Sequence, residues 1–270
     1  MRTAPDHNLH IGFFPQPRLV RVAIGGASAH MRPLRALFLS DVHLRRCVGD
    51  AQLEALIEQL AAQNASLLLL GGDYAEAPEQ CLRFFRALGR VRPPLGAYAA
   101  VGNNDRMPVD ALREAMAAVG VVLLKNECRR LALPGGALEI AGCDDHKYGA
   151  PRTRGLFSDS DAYRILLSHF PCAPDCACDL MLSGHTHAGQ CNLLGLTPYS
   201  LGFEHRYHLL ALRGLHRRDG MRLLVGNGIG VSRAPLRVGA EAQIYLLEFG
   251  AGAADALQPE ALPTSSISGK

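Results

Sequence analysis

The stretch Leu180–Gln190, LMLSGHTHAGQ, ends an apolar run in two histidines spaced by one residue, His185 and His187, fenced by Gly184 and Gly189. Paired imidazoles in a glycine-bracketed turn are the chemistry of metal ligation. Other apolar runs end in the same manner. LFL is followed by Ser40, Asp41, Val42 and His43; LLLL by Gly71, Gly72 and Asp73; AAV by Gly102, Asn103, Asn104 and Asp105; ILL by Ser168 and His169. Carboxylates, imidazoles and one amide oxygen suit first-row divalent ions such as Mn²⁺, Fe²⁺ or Zn²⁺. Seven such donors are too many for one tetrahedral ion and natural for two octahedral ones, with His185 and His187 each facing a different ion. Two ions ~3.5–4 Å apart clamp both sides of a phosphoryl displacement and acidify a water shared between them.

Such residues meet only if the runs are strands that end at one edge. From Leu34 onward the pattern supports this. LRALFLS, SLLLLGGD and GAYAAVGNND read as buried strands, and DAQLEALIEQLAAQN, PEQCLRFFRALG and PVDALREAMAAVG as the helices between them. Asp50 is placed to cap the first helix, Gly89 to end the second, and Pro108 to start the third. Continuous apolar strands joined by helices indicate a parallel sheet covered on both faces. In open α/β sheets the carboxyl ends of such strands form the ligand crevice. The second half is richer in strands, with a hairpin expected around Pro134-Gly135-Gly136, then YRILLSHFP, CDLMLSGHTH, MRLLVGNGIG and AQIYLLEF. The expectation is an α/β domain of two packed sheets with helices outside.

The chain has 270 residues, 48% apolar and 20% charged, as expected of a soluble globular protein. A net charge of +3 is too small to argue for nucleic acid as a partner. Eight cysteines in a chain of this length, with no secretory signal, read as reduced thiols in the cytoplasm. Charged and proline residues break the amino-terminal stretch, and no run reaches the ~20 apolar residues a spanning helix needs. Contact with the inner face of a membrane would therefore be peripheral. Residues 1–32 are expected to be an extension with an edge strand, 33–249 the domain, and 250–270 a disordered tail.

SDVHL, GGDY, GNND, LLSHFP and SGHTHAGQ, in this order and spacing, resemble the five motifs of the calcineurin-like metallophosphoesterase superfamily. SGHTHAGQ and VGNGIGVSRAPLRVG most resemble its bacterial YkuE/YaeI-like branch. The resemblance runs from Pro33 to Phe249. It implies a four-layer α/β/β/α sandwich of two mixed sheets flanked by helices, and two divalent metal ions, with Mn²⁺ favoured. By the same resemblance Asp41, His43 and His187 hold one ion, Asp73 bridges, and Asn103, His169 and His185 hold the other. The implied activity is phosphoester hydrolysis, in which a water activated by the two ions attacks phosphorus in line. The substrate class is a phosphodiester or a nucleotide-diphosphate-linked compound, with nucleotide-sugar and lipid-linked esters both open. The competing readings are a phosphomonoesterase or protein phosphatase, and a metal-binding scaffold of low activity. No obligate protein partner is evident.

The chain departs from the family pattern where GNND carries Asn104 in place of the usual histidine. An amide donates a hydrogen bond but does not deliver a proton at neutral pH. Asp105, which normally orients that histidine, loses its partner. Asp73, Asn104 and Asp105 are thus the candidate catalytic residues, and His146 is a candidate to replace the missing acid. Arg45, Arg233 and Arg237 are candidates for gripping phosphate bidentately, against the alternative of solvated loop residues. Cys172, Cys176 and Cys178 lack the Cys-x₂-Cys spacing of a zinc site and read as free thiols.

Overall fold

The computed structural model describes residues 9–25, 31, 34–194, 196–250 and 256–259. Its apolar runs form two mixed sheets. The seven-stranded sheet places Ala256–Pro259 (β15), Arg18–Ile24 (β2), Gln243–Phe249 (β14), Arg35–Leu39 (β3), Leu67–Leu70 (β4), Ala97–Ala99 (β5) and Val121–Leu123 (β6) side by side. The six-stranded sheet runs Gly214–Arg218 (β11), Met221–Val225 (β12), Leu180–Ser183 (β10), Tyr163–Leu167 (β9), Gly136–Gly142 (β8) and Glu127–Leu133 (β7). Strands β3 to β6 are mutually parallel, and so are β8, β9, β10 and β12. Each block therefore delivers its carboxyl ends to one edge. A third, two-stranded sheet pairs Leu9–Ile11 (β1) with Leu236–Val238 (β13).

Alternation within the strands explains the layering. Leu37, Leu39, Leu68 and Leu70 face the helices, while Ala36, Phe38, Leu67 and Leu69 meet Leu138, Ile140, Ile165 and Leu182 between the sheets. Helices Asp50–Ala61 (α1), Pro78–Leu88 (α2) and Val109–Ala117 (α3) cover the seven-stranded sheet. The stripe Leu53, Leu56, Ile57 and Leu60 of α1 is buried, as its periodicity predicts. Asp50 does not cap this helix. Gly49 does, its N–H donating to the Gln52 side chain at 3.1 Å, and Asp50 instead pairs with Arg83 of α2. The hairpin between β7 and β8 is tight, with Leu133 opposite Gly136 and Gly135 at φ +83, a backbone that Pro-Gly supplies without strain.

The α/β sandwich of two mixed sheets is thus present, with one difference in its outermost layer. The outer face of the six-stranded sheet, with Leu166, Met181 and Leu223, is covered by Leu156, Phe157, Cys176, Cys178 and Leu210 from irregular segments instead of long helices. The amino-terminal segment holds an edge strand, β1, which among the described residues pairs only with β13, and a second strand that is not at an edge. Strand β2 is interior, between β14 and β15, because Val20, Val22 and Ile24 put one apolar face into the inter-sheet core. The edge is β15, from the tail; residues 251–255 and 260–270 of that tail lie outside the described residues. No helix among the described residues is long and apolar enough to cross a membrane.

Candidate metal centre

Five strands bring the candidate ligands to one edge: Asp41 and His43 follow β3, Asp73 follows β4, Asn103 follows β5, His169 follows β9, and His185 and His187 follow β10. Asp41, His43, Asp73, His169, His185 and His187 are all buried. Five of the seven positions have left-handed backbone: Asp41 (φ 52), His43 (φ 44), Asp73 (φ 59), His185 (φ 70) and His187 (φ 49). Left-handed conformation in a non-glycine residue costs of order 1–3 kcal/mol and persists where the surroundings over-determine it. Here these residues cluster just past the ends of β3, β4 and β10. The backbone also makes close approaches here. A Cβ on Gly184 would collide with the Asp41 carboxylate and the Ser40 hydroxyl, and one on Gly102 with Asp73.

The donors fall into two overlapping groups, Asp41 with His43 and His187, and Asp41 with Asp73 and His169. Asp73 Oδ2 stands 3.4 Å from His43 Nε2 and 3.4 Å from His169 Nε2, midway between the two imidazoles. Asp41 Oδ1 lies 3.5 Å from His187 Nε2 and 4.0 Å from His169 Nε2. Asn103 and His185 meet each other at the margin, Asn103 Oδ1 lying 2.9 Å from His185 Nδ1, with the His185 and His169 rings 5.2 Å apart.

These residues fit divalent ions on two counts. His169 Nδ1 lies 2.7 Å from the Gly71 carbonyl, which can only accept, so Nδ1 carries a proton and Nε2 is the ring atom turned toward the carboxylates. That Nε2 is buried and has no hydrogen-bond partner, and a divalent ion would use its lone pair once the proton there is given up. Charge gives the second count. Burial opposes the charged form of His169, but Asp73 and Asp41 overcome it and carry its pKa up to about 10. Burial likewise resists ionisation of Asp73, yet His169 and His43 hold its pKa well below the usual carboxylate range. Two buried carboxylates demand positive charge, and bound divalent ions would supply it in place of imidazole protons.

Three supporting groups hold the ligating histidines; the first two carried no usable signal in the sequence, and the third stood there in a different role. The Glu76 carboxylate lies 2.6 Å from His43 Nδ1, and Glu204 bonds His185 Nε2 while its other oxygen is 3.4 Å from Lys147 Nζ. Such carboxylates orient a ligating ring and raise its basicity. Glu76 is three residues past Asp73 in GGDYAE, a place where an acid is ordinary, and Glu204 arrives from a loop that no periodicity marks. Replacing Glu204 with Gln is expected to weaken metal retention about 10- to 100-fold. The check is metal titration by calorimetry. The third group is Arg237. It is 1% exposed, and its guanidinium donates to the carbonyls of Gly230 (2.6 Å), Asn227 (3.0 Å) and Ala240 (3.0 Å) and to His187 Nδ1 (3.1 Å).

Several sequence-based roles change accordingly. Arg237 is sealed beneath the site and cannot reach substrate; it positions His187. Arg45 is also engaged elsewhere, donating to Ser232 O, standing 3.5 Å from Glu76, and lying over the Phe13 ring. His146 is half-buried against Phe170, and burial first, with His169 and His185 adding, lowers its pKa. It is therefore a neutral imidazole, poorly suited to replace the missing acid. Asp105 has found other partners. Its carboxylate accepts the N–H groups of Gly102 (2.7 Å), Tyr74 (2.8 Å) and Asp73 (3.1 Å), tying the β4 and β5 loops together. Burial and then the nearby Asp73 charge push its pKa up to about 7. The Asn104 amide donates to Asp73 Oδ2 at 2.7 Å, and its backbone N–H to Oδ1 at 2.7 Å, so this residue steadies the Asp73 carboxylate.

Above the centre opens a cavity of about 500 Å³ lined by Asp73, Asn103, Asn104, His185 and His187, with Arg106, Lys147 and Arg233 on its wall. The cysteine cluster stays apart from this wall; all eight thiols are free, and burial pushes that of Cys172 up to about 11.

A family model described as calcineurin-like phosphoesterase matches residues 34–189. YpbG of Bacillus subtilis is 30% identical over 224 residues, covering 80% of this chain and 80% of that protein. The phosphodiesterase YaeI of Escherichia coli is 29% identical over 258 residues, covering 90% of this chain and 91% of its own length. Among solved structures, a phosphopantetheinyl hydrolase from Mycobacterium tuberculosis is 14% identical with a TM-score of 0.43, over 83% of this chain and 96% of that one.

Proposed function

Because the chain belongs to the calcineurin-like phosphoesterases and so hydrolyses a phosphoester bond, we propose that it is a two-metal phosphodiesterase. The observation that carries this reading is Asp73 Oδ2, equidistant from His43 and His169 and flanked by Asp41. Asp41, His43 and His187 would hold one ion, and His169, His185 and Asn103 the other, with Asp73 between; Mn²⁺ suits this oxygen- and nitrogen-rich set. When bound, such ions polarise the phosphoryl oxygens and lower the pKa of a water between them.

The chain's own residues do the rest. The basic wall of Arg106, Lys147 and Arg233 draws the anionic ester into the cavity. Asn104 keeps the Asp73 carboxylate from rotating with two hydrogen bonds, while Asp105 holds the Asp73 backbone N–H. No imidazole stands at position 104 to hand a proton to the leaving oxygen. Catalysis then favours esters whose leaving group needs little help, which include activated diesters and nucleotide-diphosphate linkages. The name of YaeI, a phosphodiesterase, agrees with a diester substrate. The test is turnover with Mn²⁺ on matched p-nitrophenyl mono- and diesters and on a nucleotide sugar. We expect the diester to be cleaved at least about tenfold faster in kcat/KM than the monoester, a difference of about 1.4 kcal/mol in barrier. A monoester preference overturns the diesterase reading.

A further inference from the structure

Nine large apolar side chains are exposed among the described residues, and seven of them belong to two segments that lie beside each other. Strand β1 exposes Leu9 (64%) and Ile11 (75%). The loop that follows the metal-centre histidines exposes Leu193 (64%), Leu194 (78%), Leu196 (63%), Leu201 (82%) and Phe203 (40%). Strand β13 joins the two: it pairs with β1 on one side, and Val238 bridges Cys191 on the other, with Asn192 N–H donating to Val238 O at 2.7 Å. Phe203 is tied to the same region by Arg233, whose guanidinium lies 5.4 Å over its ring. Exposed apolar side chains gathered on adjoining segments in this way mark an interaction site.

We propose that this patch docks the protein on the surface of a lipid bilayer bearing anionic headgroups. Charge selects that occupant. Residues 9–18, 190–213 and 231–238 contain one acid, Glu204, and its carboxylate is engaged with His185 and Lys147. The outward charges among the leucines, Arg206 and Arg233, are basic. An apolar apron with a cationic fringe is the composition that lies in the interfacial region of an anionic membrane. Self-association through a two-fold axis would instead face this patch with itself, with no free acid on either copy to meet Arg206 and Arg233. Leucines on a hairpin tip and short turns also need no complementary groove, because lipid adapts to them. Phe203 and Arg233 belong both to the patch and to the cavity wall. Docking would therefore set the cavity mouth at headgroup level, where an amphiphilic phosphoester presents its phosphate. That consequence rests on the hydrolase reading; the docking does not.

The experiment is co-sedimentation of the full chain with phosphatidylcholine vesicles, with and without phosphatidylglycerol. The expected result is binding that requires phosphatidylglycerol and weakens with salt. Leu194→Ser combined with Leu201→Ser should lower the partition about tenfold or more, and Arg206→Glu should lower it separately. Neither site lines the cavity, so melting temperature and soluble diester hydrolysis should stay unchanged. Absence of sedimentation with either vesicle overturns the proposal, as does sedimentation indifferent to the leucine pair. A wild-type dimer that the leucine pair converts to a monomer, seen by light scattering, also overturns it and assigns the patch to a second copy. Loss of diester turnover with vesicle binding intact would count against the hydrolase reading alone.

Discussion

Asp73→Asn is expected to lower kcat/KM for a phosphodiester on the order of a thousandfold or more, with the fold intact. The substitution is nearly isosteric, and it removes one negative charge from a carboxylate that lies 3.4 Å from an imidazole of each ligand group. An amide oxygen is a weaker donor, and the amide nitrogen would face His43 or His169. The Asn104 amide, which donates 2.7 Å to Asp73 Oδ2, would lose an anionic acceptor as well. Steady-state kinetics across a Mn²⁺ titration provides the check. Activity restored to wild-type level at high Mn²⁺ would mean that Asp73 contributes affinity for the ions and nothing to the barrier, against expectation.

Arg237→Leu is expected to cost stability as well as activity. The guanidinium is 1% exposed and donates to three carbonyls and to His187. Burial alone depresses its pKa to about 10, with Asp41 the chief opposing influence, so it remains charged at neutral pH. Leucine leaves the Gly230, Asn227 and Ala240 carbonyls buried without donors, at about 1–3 kcal/mol each, partly relieved by relaxation. A net loss of about 3–5 kcal/mol corresponds to a fall of roughly 10 °C in melting temperature for a domain of this size. Arg237→Lys keeps the charge but not the planar fork, and should recover only part of the loss. The measurement is thermal unfolding by circular dichroism. A shift of a degree or two in the leucine variant would show that the carbonyls find other partners.

Much of the sandwich was legible because its strands are continuous apolar runs buried on both faces, such as LRALFL and LLLL, punctuated by Gly89, Gly120 and Pro108. The ligand candidates were legible by residue type at the ends of those runs. What residue type does not encode is backbone handedness. The left-handed turns at Asp41, His43, Asp73, His185 and His187 arise from packing at the sheet edge, and nothing local to those residues announces them. The roles of Glu204 and Arg237 were hidden for a related reason. The first reaches His185 from a loop, and the second was singled out for gripping phosphate, a role that its place behind His187 replaces. The misassigned Arg45 shows the converse, since a basic residue beside a metal motif can be spent on backbone carbonyls of the neighbouring loop. The amino-terminal strand was underestimated because its register against β14 depends on residues more than two hundred positions away.

The measurement closest to the central claim is the metal content of the Mn²⁺-reconstituted full chain, by inductively coupled plasma mass spectrometry after desalting, beside Asp73→Asn. Two ions per wild-type chain and at most one in the variant are expected of a centre bridged by that carboxylate. A single ion in both proteins, or none in the wild type while it turns over diester undiminished in chelator, would contradict it.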